Sequence, residues 1–197
     1  MKKPVAAYST AHSSAESFGK TEIEGCFTFR NRIFKDQRGS FTKVYAREVF
    51  ANAGLEMAVA EVFVSTSQRG VIRGMHFQAP PYDLTKIVSC LGGRILDVVL
   101  DLRKASATYG KAIGIELSAI NETTVIVPAG CAHGFYSYQD NSLVSYVVSQ
   151  GHNQSADQGI LWNSFDFKWP SEPGSSIPIM SGRDLQFPTF ADFTSPF

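Results

Sequence analysis

The chain has 197 residues, and 44% of them are hydrophobic, which is enough apolar surface for one domain with a sizeable core. Eighteen basic and eighteen acidic residues give a formal net charge of zero. No overall field therefore draws the chain to nucleic acid or to an anionic membrane, and we expect neither as a partner. An anionic ligand would have to be bound by local cations.

The amino-terminal stretch is polar and rich in Ser, Ala and Thr. Residues 1–25 lack apolar periodicity, so we predict a flexible arm there and a single domain at residues 26–197. The start is too polar for the apolar region of a signal peptide, and no later run reaches membrane-spanning length. Three cysteines without metal-type spacing favour buried free thiols: Cys26, Cys90 and Cys131. Together these features predict a cytoplasmic protein.

Short runs with strand-like composition follow at intervals of roughly 8 to 12 residues, a spacing typical of an all-β sandwich or barrel. The runs lie at residues 26–29, 41–45, 59–65, 85–90, 94–102, 111–117, 123–127, 134–138 and 143–148. One short helix is predicted at residues 46–53, where Gly54 supplies a stop. The segment from Trp162 onward is rich in proline and aromatic residues and is predicted to wrap the domain in extended form.

Candidate chemistry is concentrated where Arg73, His76 and Gln78 fall close together, with Lys86 shortly after them. A neutral histidine titrates near pH 6.5, so His76 is the best-placed proton acceptor. Lys86 alternates in phase with apolar neighbours, which points its side chain inward and implies an anion or a polarised oxygen nearby. The alternative for His76 is an ordinary core histidine. The neighbouring cations favour the functional interpretation, because a core does not gather cations.

A metal site is disfavoured by the same residues. His76 and His133 resemble ligand positions of metal-binding cupins, but Gln78 stands in the place of a second histidine, and Asp83 and Lys86 occupy the stretch where a glutamate would be. Two histidines fall short of the three or four ligands of a stable site. The chain also lacks a Gly-x-Ser-x-Gly elbow and a phosphate-binding glycine loop. We therefore predict proton chemistry without a metal or another cofactor.

Five segments, in a fixed order, carry a resemblance to a known family. They are Phe34-Lys-Asp-Gln-Arg-Gly-Ser-Phe41, Val71-Ile-Arg-Gly-Met-His-Phe-Gln78, Asp97-Val-Val-Leu-Asp-Leu-Arg103, Ser106-Ala-Thr-Tyr-Gly110 and Pro128-Ala-Gly-Cys-Ala-His-Gly-Phe135. On these segments the chain resembles the dTDP-4-dehydrorhamnose 3,5-epimerase family, over nearly all but the first 25 residues. The resemblance implies an all-β, cupin-type jelly roll that usually forms homodimers. It also implies a cofactor-free isomerase acting on a nucleoside-diphosphate-linked 4-keto-6-deoxy sugar in polysaccharide biosynthesis, including that of lipopolysaccharide.

The resemblance also assigns roles in an enolate mechanism. His76 matches the base, and Asp184 matches its acidic partner, with Asp97 as a rival for that place. Lys86 matches the cation that meets the developing C4 oxyanion. Tyr146 matches the acid that returns a proton to the opposite face, and nearby tyrosines are the alternatives: Tyr136 and Tyr138.

Further positions match residues that hold the nucleotide, its pyrophosphate or the sugar. These are Arg38, Phe41, Arg73, His133, Asp157 and Arg183. Arginine suits pyrophosphate through forked hydrogen bonds, and Phe41 could stack on a base or pack at a dimer contact. We add three further candidates for substrate binding: Lys43, Glu61 and Gln78.

The chain departs from the family pattern at three of these places. Lys43 stands where the dTDP-specific enzymes carry a glutamate, and Glu61 and Phe63 stand where the family commonly shows Gln-x-Asn. The nucleotide base and the carbon inverted, C3, C5 or both, therefore stay open. Two other functions also stay open, a 3,4-ketoisomerase of a nucleotide sugar and a non-catalytic sugar-binding jelly roll.

Overall fold

The computed structural model describes residues 17–171 and 178–197. Within them the chain forms thirteen strands, one short α-helix and a 3₁₀ helix at Asp184–Gln186. The first six strands are β1 (Ser17–Lys20), β2 (Phe27–Arg30), β3 (Ile33–Asp36), β4 (Gly39–Thr42), β5 (Glu61–Ser67) and β6 (Ile72–Gln78). The others are β7 (Lys86–Gly92), β8 (Arg94–Asp101), β9 (Ala112–Ser118), β10 (Thr123–Val127), β11 (Cys131–Ser137), β12 (Ser142–Val148) and β13 (Asp157–Gly159). The helix α1 spans Arg47–Asn52.

Two antiparallel sheets make the body of the domain. One has six strands in the order β1-β2-β10-β7-β12-β5, the other has five in the order β13-β6-β11-β8-β9, and β3 pairs with β4 as a separate hairpin. Apolar residues from both large sheets, such as Val88, Val99 and Phe135, form one buried cluster between them. The neighbours of a strand are mostly not its neighbours in sequence, which is the connectivity of a jelly roll. The all-β prediction is confirmed.

The five-stranded sheet is apolar on both faces because the tail covers its outer side. In β8, Val99 faces the space between the sheets, while Val98 and Leu100 belong to a second buried cluster. Tail aromatics pack against that second cluster: Trp162, Phe165, Phe167, Trp169, Phe190, Phe193 and Phe197. In the described part of the tail, the predicted wrapping is confirmed.

The outer face of the six-stranded sheet is covered by α1 and the residues that flank it, and the amino-terminal strand β1 is an edge strand of the same sheet. Helix α1 agrees with the prediction, and Gly54, with a φ of 72°, donates its N–H to the Ala51 carbonyl at the end of the helix. Strand β1 begins at Ser17, within the stretch that was predicted to be a flexible arm. Phe18 lies 4.6 Å from the Phe29 ring, and Ile23 is 1% exposed, so two apolar side chains anchor this otherwise polar stretch. Residues 1–16 of the predicted arm lie outside the described residues.

The close approach of the paired strands β6 and β11 requires a glycine on each strand. A Cβ on Gly74 would lie 2.5 Å from the Gly134 Cα, and Gly74 has a φ of 132°, which side-chain-bearing residues rarely adopt. The close approach sets His76 opposite His133 in the ladder. The glycines that follow Arg73 and His133 in the sequence therefore place two histidines side by side on one sheet.

No helix in the described ranges is long and apolar enough to span a membrane.

Candidate active site

A cleft of about 190 Å³ opens between β6 of the five-stranded sheet and the facing strands β5, β7 and β12. Six residues predicted from the sequence line it: Glu61, His76, Gln78, Lys86, Asp157 and Arg183. A second cavity, of about 430 Å³, adjoins it and shares two of these residues, His76 and Arg183. Arg73 and Asp184 line this second cavity. The structure thus gathers eight of the predicted site residues around His76.

His76 is paired with Asp184. Its Nε2 lies 3.0 Å from the Asp184 Oδ2, and the same oxygen accepts a 3.2 Å hydrogen bond from the Gly74 N–H. The Asp184 side chain is 5% exposed and the His76 side chain is 26% exposed, so the imidazole alone of the pair opens to the cleft. The Ser181 hydroxyl accepts the Asp184 N–H and fixes the start of the 3₁₀ helix. The tail thereby supplies the acidic partner that was predicted for the base.

The surroundings of this pair favour a neutral base beside an ionised acid. Burial lowers the pKa of His76, and the positive charges of Lys86 and Arg183 lower it further, while Asp184 acts in the opposite direction. Burial works to raise the pKa of Asp184, but hydrogen bonds from His76 and Gly74 outweigh it and hold that pKa below its usual range. A neutral imidazole is the form that can accept a proton.

Lys86 faces the cleft from the six-stranded sheet, as its phase in the sequence predicted. It pairs with Val148 and Val127 on either side, and its Nζ donates a 3.2 Å hydrogen bond to the His76 carbonyl. Burial lowers the pKa of Lys86 to about 8, against the favourable charges of Asp157 and Asp97. This ammonium is therefore held beside the base without a direct carboxylate partner at salt-bridge distance among the described residues.

Tyr146 lies one ladder step away from Lys86 on the same face of the sheet, since it pairs with Val88 and Phe63. Its ring stacks on the Phe63 ring at 4.7 Å and meets the His133 ring edge-on at 6.0 Å. Tyr146 is 8% exposed, and burial raises its pKa well above the ordinary value. A high pKa keeps the phenol protonated, as a proton donor requires. Phe63 forms the wall between this ring and the cleft.

His133 and Asp97 form a second histidine–carboxylate pair behind the first. His133 Nε2 lies 2.7 Å from the Asp97 Oδ2, and both residues are buried. Asp97 was predicted as a rival partner for His76, and this is wrong, because the adjacent strand holds it against His133. Neither residue lines the cleft, although burial beside Tyr146 lets His133 fix the position of that ring.

Comparison with known proteins decides the family. The family model described as dTDP-4-dehydrorhamnose 3,5-epimerase matches residues 20–192. A relative of that name from Shigella flexneri is 35% identical over 176 residues, covering 88% of this chain and 95% of the relative. The chain belongs to the dTDP-4-dehydrorhamnose 3,5-epimerase family. It is accordingly an isomerase, a carbohydrate epimerase with the cupin-type jelly roll that the sequence predicted.

Two solved structures show what relatives of this epimerase hold. The dTDP-4-dehydrorhamnose 3,5-epimerase of Bacillus anthracis, with TDP and pyrophosphate bound, has a TM-score of 0.83 and 35% identity, and covers 89% of this chain and 99% of its own. A 3′-monoepimerase of Streptomyces bikiniensis in complex with dTDP-quinovose has a TM-score of 0.81 and 31% identity, and covers 88% and 87%. The fold thus serves double and single epimerisation.

Gln78 and Glu61 of the epimerase fix one wall of the cleft. The Gln78 amide donates to the Tyr82 and Gly151 carbonyls at 2.8 and 3.2 Å and accepts the Asn153 N–H at 2.6 Å. Glu61 Oε1 accepts the His152 N–H at 3.1 Å. Both side chains, predicted as substrate ligands, therefore anchor the loop that follows β12.

His152 on that loop is a cleft residue that the sequence reasoning missed. Its Nε2 lies 3.4 Å from the Asp157 Oδ2, and its side chain is 61% exposed. The local sequence around it is polar and without periodicity, so only the Gln78 and Glu61 contacts reveal its place. The loop adds a second imidazole to the cleft besides that of His76, and no sequence pattern indicated it.

Arg38, Phe41 and Lys43 do not reach the cleft of their own chain. They lie on or just after the β3–β4 hairpin, which forms its own two-stranded sheet. Arg38 makes a forked pair with Asp36, with Nη2 and Oδ2 2.5 Å apart, and Phe41 is 60% exposed. Within the described chain, these predicted nucleotide ligands stand apart from the base and the lysine.

Proposed function

We propose that this epimerase inverts C3, C5 or both in a nucleoside-diphosphate-linked 4-keto-6-deoxy sugar. The observation that carries the proposal is the placement of the His76–Asp184 pair and the Lys86 ammonium on facing walls of one cleft. A base on one side and a cation close by are what proton removal next to a ketone requires. The two nucleotide complexes of relatives support a substrate of this class.

The first step transfers a proton from the carbon next to the ketone to His76. With Nε2 engaged by Asp184, the neutral ring carries its lone pair on Nδ1, which takes the proton. The C–H electron pair forms a double bond between that carbon and C4, and the carbonyl electrons move to the C4 oxygen, giving an enolate. Lys86 then faces a full negative charge, and a cation fixed in advance stabilises it without reorganisation.

The second step returns a proton to the other face of the same carbon. Tyr146, on the sheet opposite His76, gives its phenolic proton to carbon as the enolate collapses to the ketone, once the Phe63 ring that covers it has moved aside. The resulting tyrosinate regains a proton from solvent and the His76 imidazolium loses one, so the enzyme returns to its starting state. No metal or redox group takes part in this balance of atoms and charges.

We also infer a homodimer. Phe41, on the β3–β4 hairpin, and Val62 and Val64, on the edge strand β5, are each 60–64% exposed. Exposed apolar residues on a free edge favour association. A second copy would bring the hairpin residues Arg38 and Phe41 toward a cleft that they do not reach in their own chain. Light scattering combined with gel filtration measures this assembly.

We place the reaction in the cytoplasm. The three cysteines are free and buried, as the sequence predicted, which suits a reducing compartment. Fractionation of cells that express the full chain tests this placement.

Solvent deuterium incorporation tests the reaction. The probes are dTDP-, CDP- and GDP-linked 4-keto-6-deoxy sugars in D₂O, read by NMR, with His76→Ala as the control. Deuterium at C3 or C5 that disappears in the variant supports the proposal and names the carbon. A keto group that moves to C3 would indicate a ketoisomerase. Binding without exchange for every probe would indicate a non-catalytic protein.

A further inference from the structure

Each nitrogen of the Arg183 guanidinium is already directed at a protein group. Nη1 donates to the Asp157 Oδ2 at 2.6 Å, Nε donates to the Asp184 Oδ1 at 3.2 Å, and Nη2 lies 3.0 Å from the His76 Nε2. The guanidinium carbon also lies 5.4 Å from the centre of the Phe187 ring. Two of the three nitrogens are thus bound to carboxylates and the third to the base, an arrangement unlike that of a side chain held ready for a phosphate.

Arg183 and Asp184 make opposite demands on one ring nitrogen. Both lie 3.0 Å from the Nε2 of His76. The Asp184 carboxylate can only accept a hydrogen bond and so needs a proton on Nε2, whereas the guanidinium can only donate and so needs a lone pair there. One nitrogen cannot satisfy both at once. The two neighbours therefore compete for the protonation state of the base.

The charges around His76 also affect its protonation state. Asp157 and Asp184 contribute two negative charges and Arg183 one positive charge, so the three together carry one net negative charge. Lys86 faces the imidazole from β7, while His152 and Glu61 border the cleft from the loop after β12 and from β5. Without Arg183, the Asp184 carboxylate would act on His76 with one opposing cation fewer and would favour the imidazolium, which has no lone pair to accept a substrate proton.

We propose that Arg183 is a positioning residue that competes with Asp184 for the Nε2 of His76 and thereby keeps the imidazole uncharged in the resting enzyme. This inference rests on the proposed function, because it assumes that His76 is the base. Arg183 also holds Asp184 in place through Oδ1, so that Oδ2 stays directed at the Nε2 of His76. The cluster then becomes neutral when His76 takes the substrate proton, which favours the charged intermediate.

The test is an NMR titration of the full-length protein with ¹⁵N- and ¹³C-labelled histidine. The four histidine signals are separated with His76→Ala. In Arg183→Gln, the His76 titration midpoint is expected to move to higher pH, because the cation that faces Nε2 and opposes Asp184 has been removed. Arg183→Lys retains the charge and is expected to stay near the wild-type midpoint. Arg94→Gln removes a cation paired with Glu116 outside the cleft and is the matched control.

A second readout separates this inference from the proposed function. In the deuterium assay, Arg183→Gln is expected to lose rate mainly on the acidic side, where its base is already protonated, and to recover as the pH rises. An unchanged His76 titration in Arg183→Gln, with near-ultraviolet circular dichroism showing a folded protein, would overturn the inference. Failure of the wild type to exchange deuterium would contradict the proposed function. The His76 titration would still test the effect of Arg183 on the imidazole.

Discussion

His76 and His133 lie directly opposite each other in the β6–β11 ladder, yet each binds a different carboxylate. The pair of His133 with Asp97 is closed off from solvent, whereas the pair of His76 with Asp184 opens to the cleft on its histidine side. Two chemically similar pairs on neighbouring strands thus have different roles. One is part of the interior, and the other faces the cleft.

The two carboxylates are predicted to respond differently to the same substitution. Asp184→Asn removes the charge that stabilises imidazolium, and we expect kcat to fall by about 10⁴-fold, as for a base deprived of its acidic partner. Asp97→Asn is the matched control, and we expect it to lower thermal stability while leaving most of the activity. An equal loss of kcat in both variants, measured by deuterium exchange, would contradict the assignment of Asp184.

Lys86 is predicted to set the alkaline limit of the reaction. Its pKa of about 8 means that the ammonium is present below that pH and is lost as the pH rises through it, so the rate should fall on the alkaline side. Lys86→Met should reduce kcat by about 10²- to 10³-fold, the usual effect of losing one oxyanion donor. Lys86→Arg should keep its charge and extend the rate plateau upward. A pH–rate profile with the same alkaline limb in Lys86→Arg would show that another group titrates.

Tyr146 is predicted to separate proton removal from inversion. In Tyr146→Phe the base is intact, so deuterium should still enter the sugar from the His76 face with retention of configuration. The epimer itself should form about 10²- to 10⁴-fold more slowly, the range for loss of a general acid. Tyr138→Phe is the control, because that ring lies under the Arg94 guanidinium away from the cleft. Normal epimer formation in Tyr146→Phe would rule out this acid.

Glu61 and Phe63 are predicted to set the nucleotide preference. A carboxylate at the cleft repels an anionic ligand, and the family commonly has two amides in these places. We expect the pair Glu61→Gln and Phe63→Asn to raise kcat/KM for the dTDP-linked sugar by about tenfold relative to the CDP- and GDP-linked sugars. Ile120→Asn is the control, since Ile120 is 84% exposed between β9 and β10 and does not line the cleft. An unchanged preference would exclude both residues as determinants.

Asp101 is predicted to matter for stability and not for chemistry. Its buried carboxylate accepts hydrogen bonds from the Arg103 guanidinium and from the Ser106 and Thr108 hydroxyls. Burial acts to raise the pKa of Asp101, but these hydrogen bonds have the larger combined effect and lower it to about 2. Its contribution is therefore present above the ordinary carboxylate range and is lost as the pH falls toward 2.

We expect Asp101→Asn to cost about 3 kcal/mol of unfolding free energy at pH 7, because the Arg103 charge loses its partner. Urea unfolding at pH 7 and pH 3 measures this, and the difference between variant and wild type should shrink at pH 3. Asp36→Asn, which alters the exposed pair with Arg38, should have little effect at either pH. A difference that persists undiminished at pH 3 would show that ionisation of Asp101 is not its source.

Features that depend on local pattern could be predicted from the sequence. Alternation located β7, β8 and β12, and the phase of Lys86 within its strand placed it correctly in the cleft. Helix α1 followed from a helix-forming run with a glycine stop. Strands β1, β3, β6 and β13 were not marked by alternation. Strand β1 lies in the polar amino-terminal stretch, β6 mixes Arg73, His76 and Gln78 with glycine, and β13 has only three residues.

Features that depend on distant contacts could not be predicted in this way. The resemblance gave Asp184 as the partner of His76 with Asp97 as a rival, and only the three-dimensional pairing of Asp97 with His133 and of Asp184 with His76 decides between them. The same limit applies to His152, whose position depends on hydrogen bonds from residues more than seventy positions away. The resemblance to a family assigned roles to the site residues, and the sheet geometry showed which histidine pairs with which carboxylate.

Arg183 and Asp184 belong to the tail, beyond the last strand, and are held by side-chain contacts instead of a strand ladder. The sheets and the catalytic centre therefore have separate stabilities, since a docked segment can detach while the ladders persist. Activity would report the docking equilibrium of about twenty residues, and circular dichroism would report the sheets. Mild denaturant should therefore abolish activity at concentrations at which circular dichroism still shows the complete β-structure.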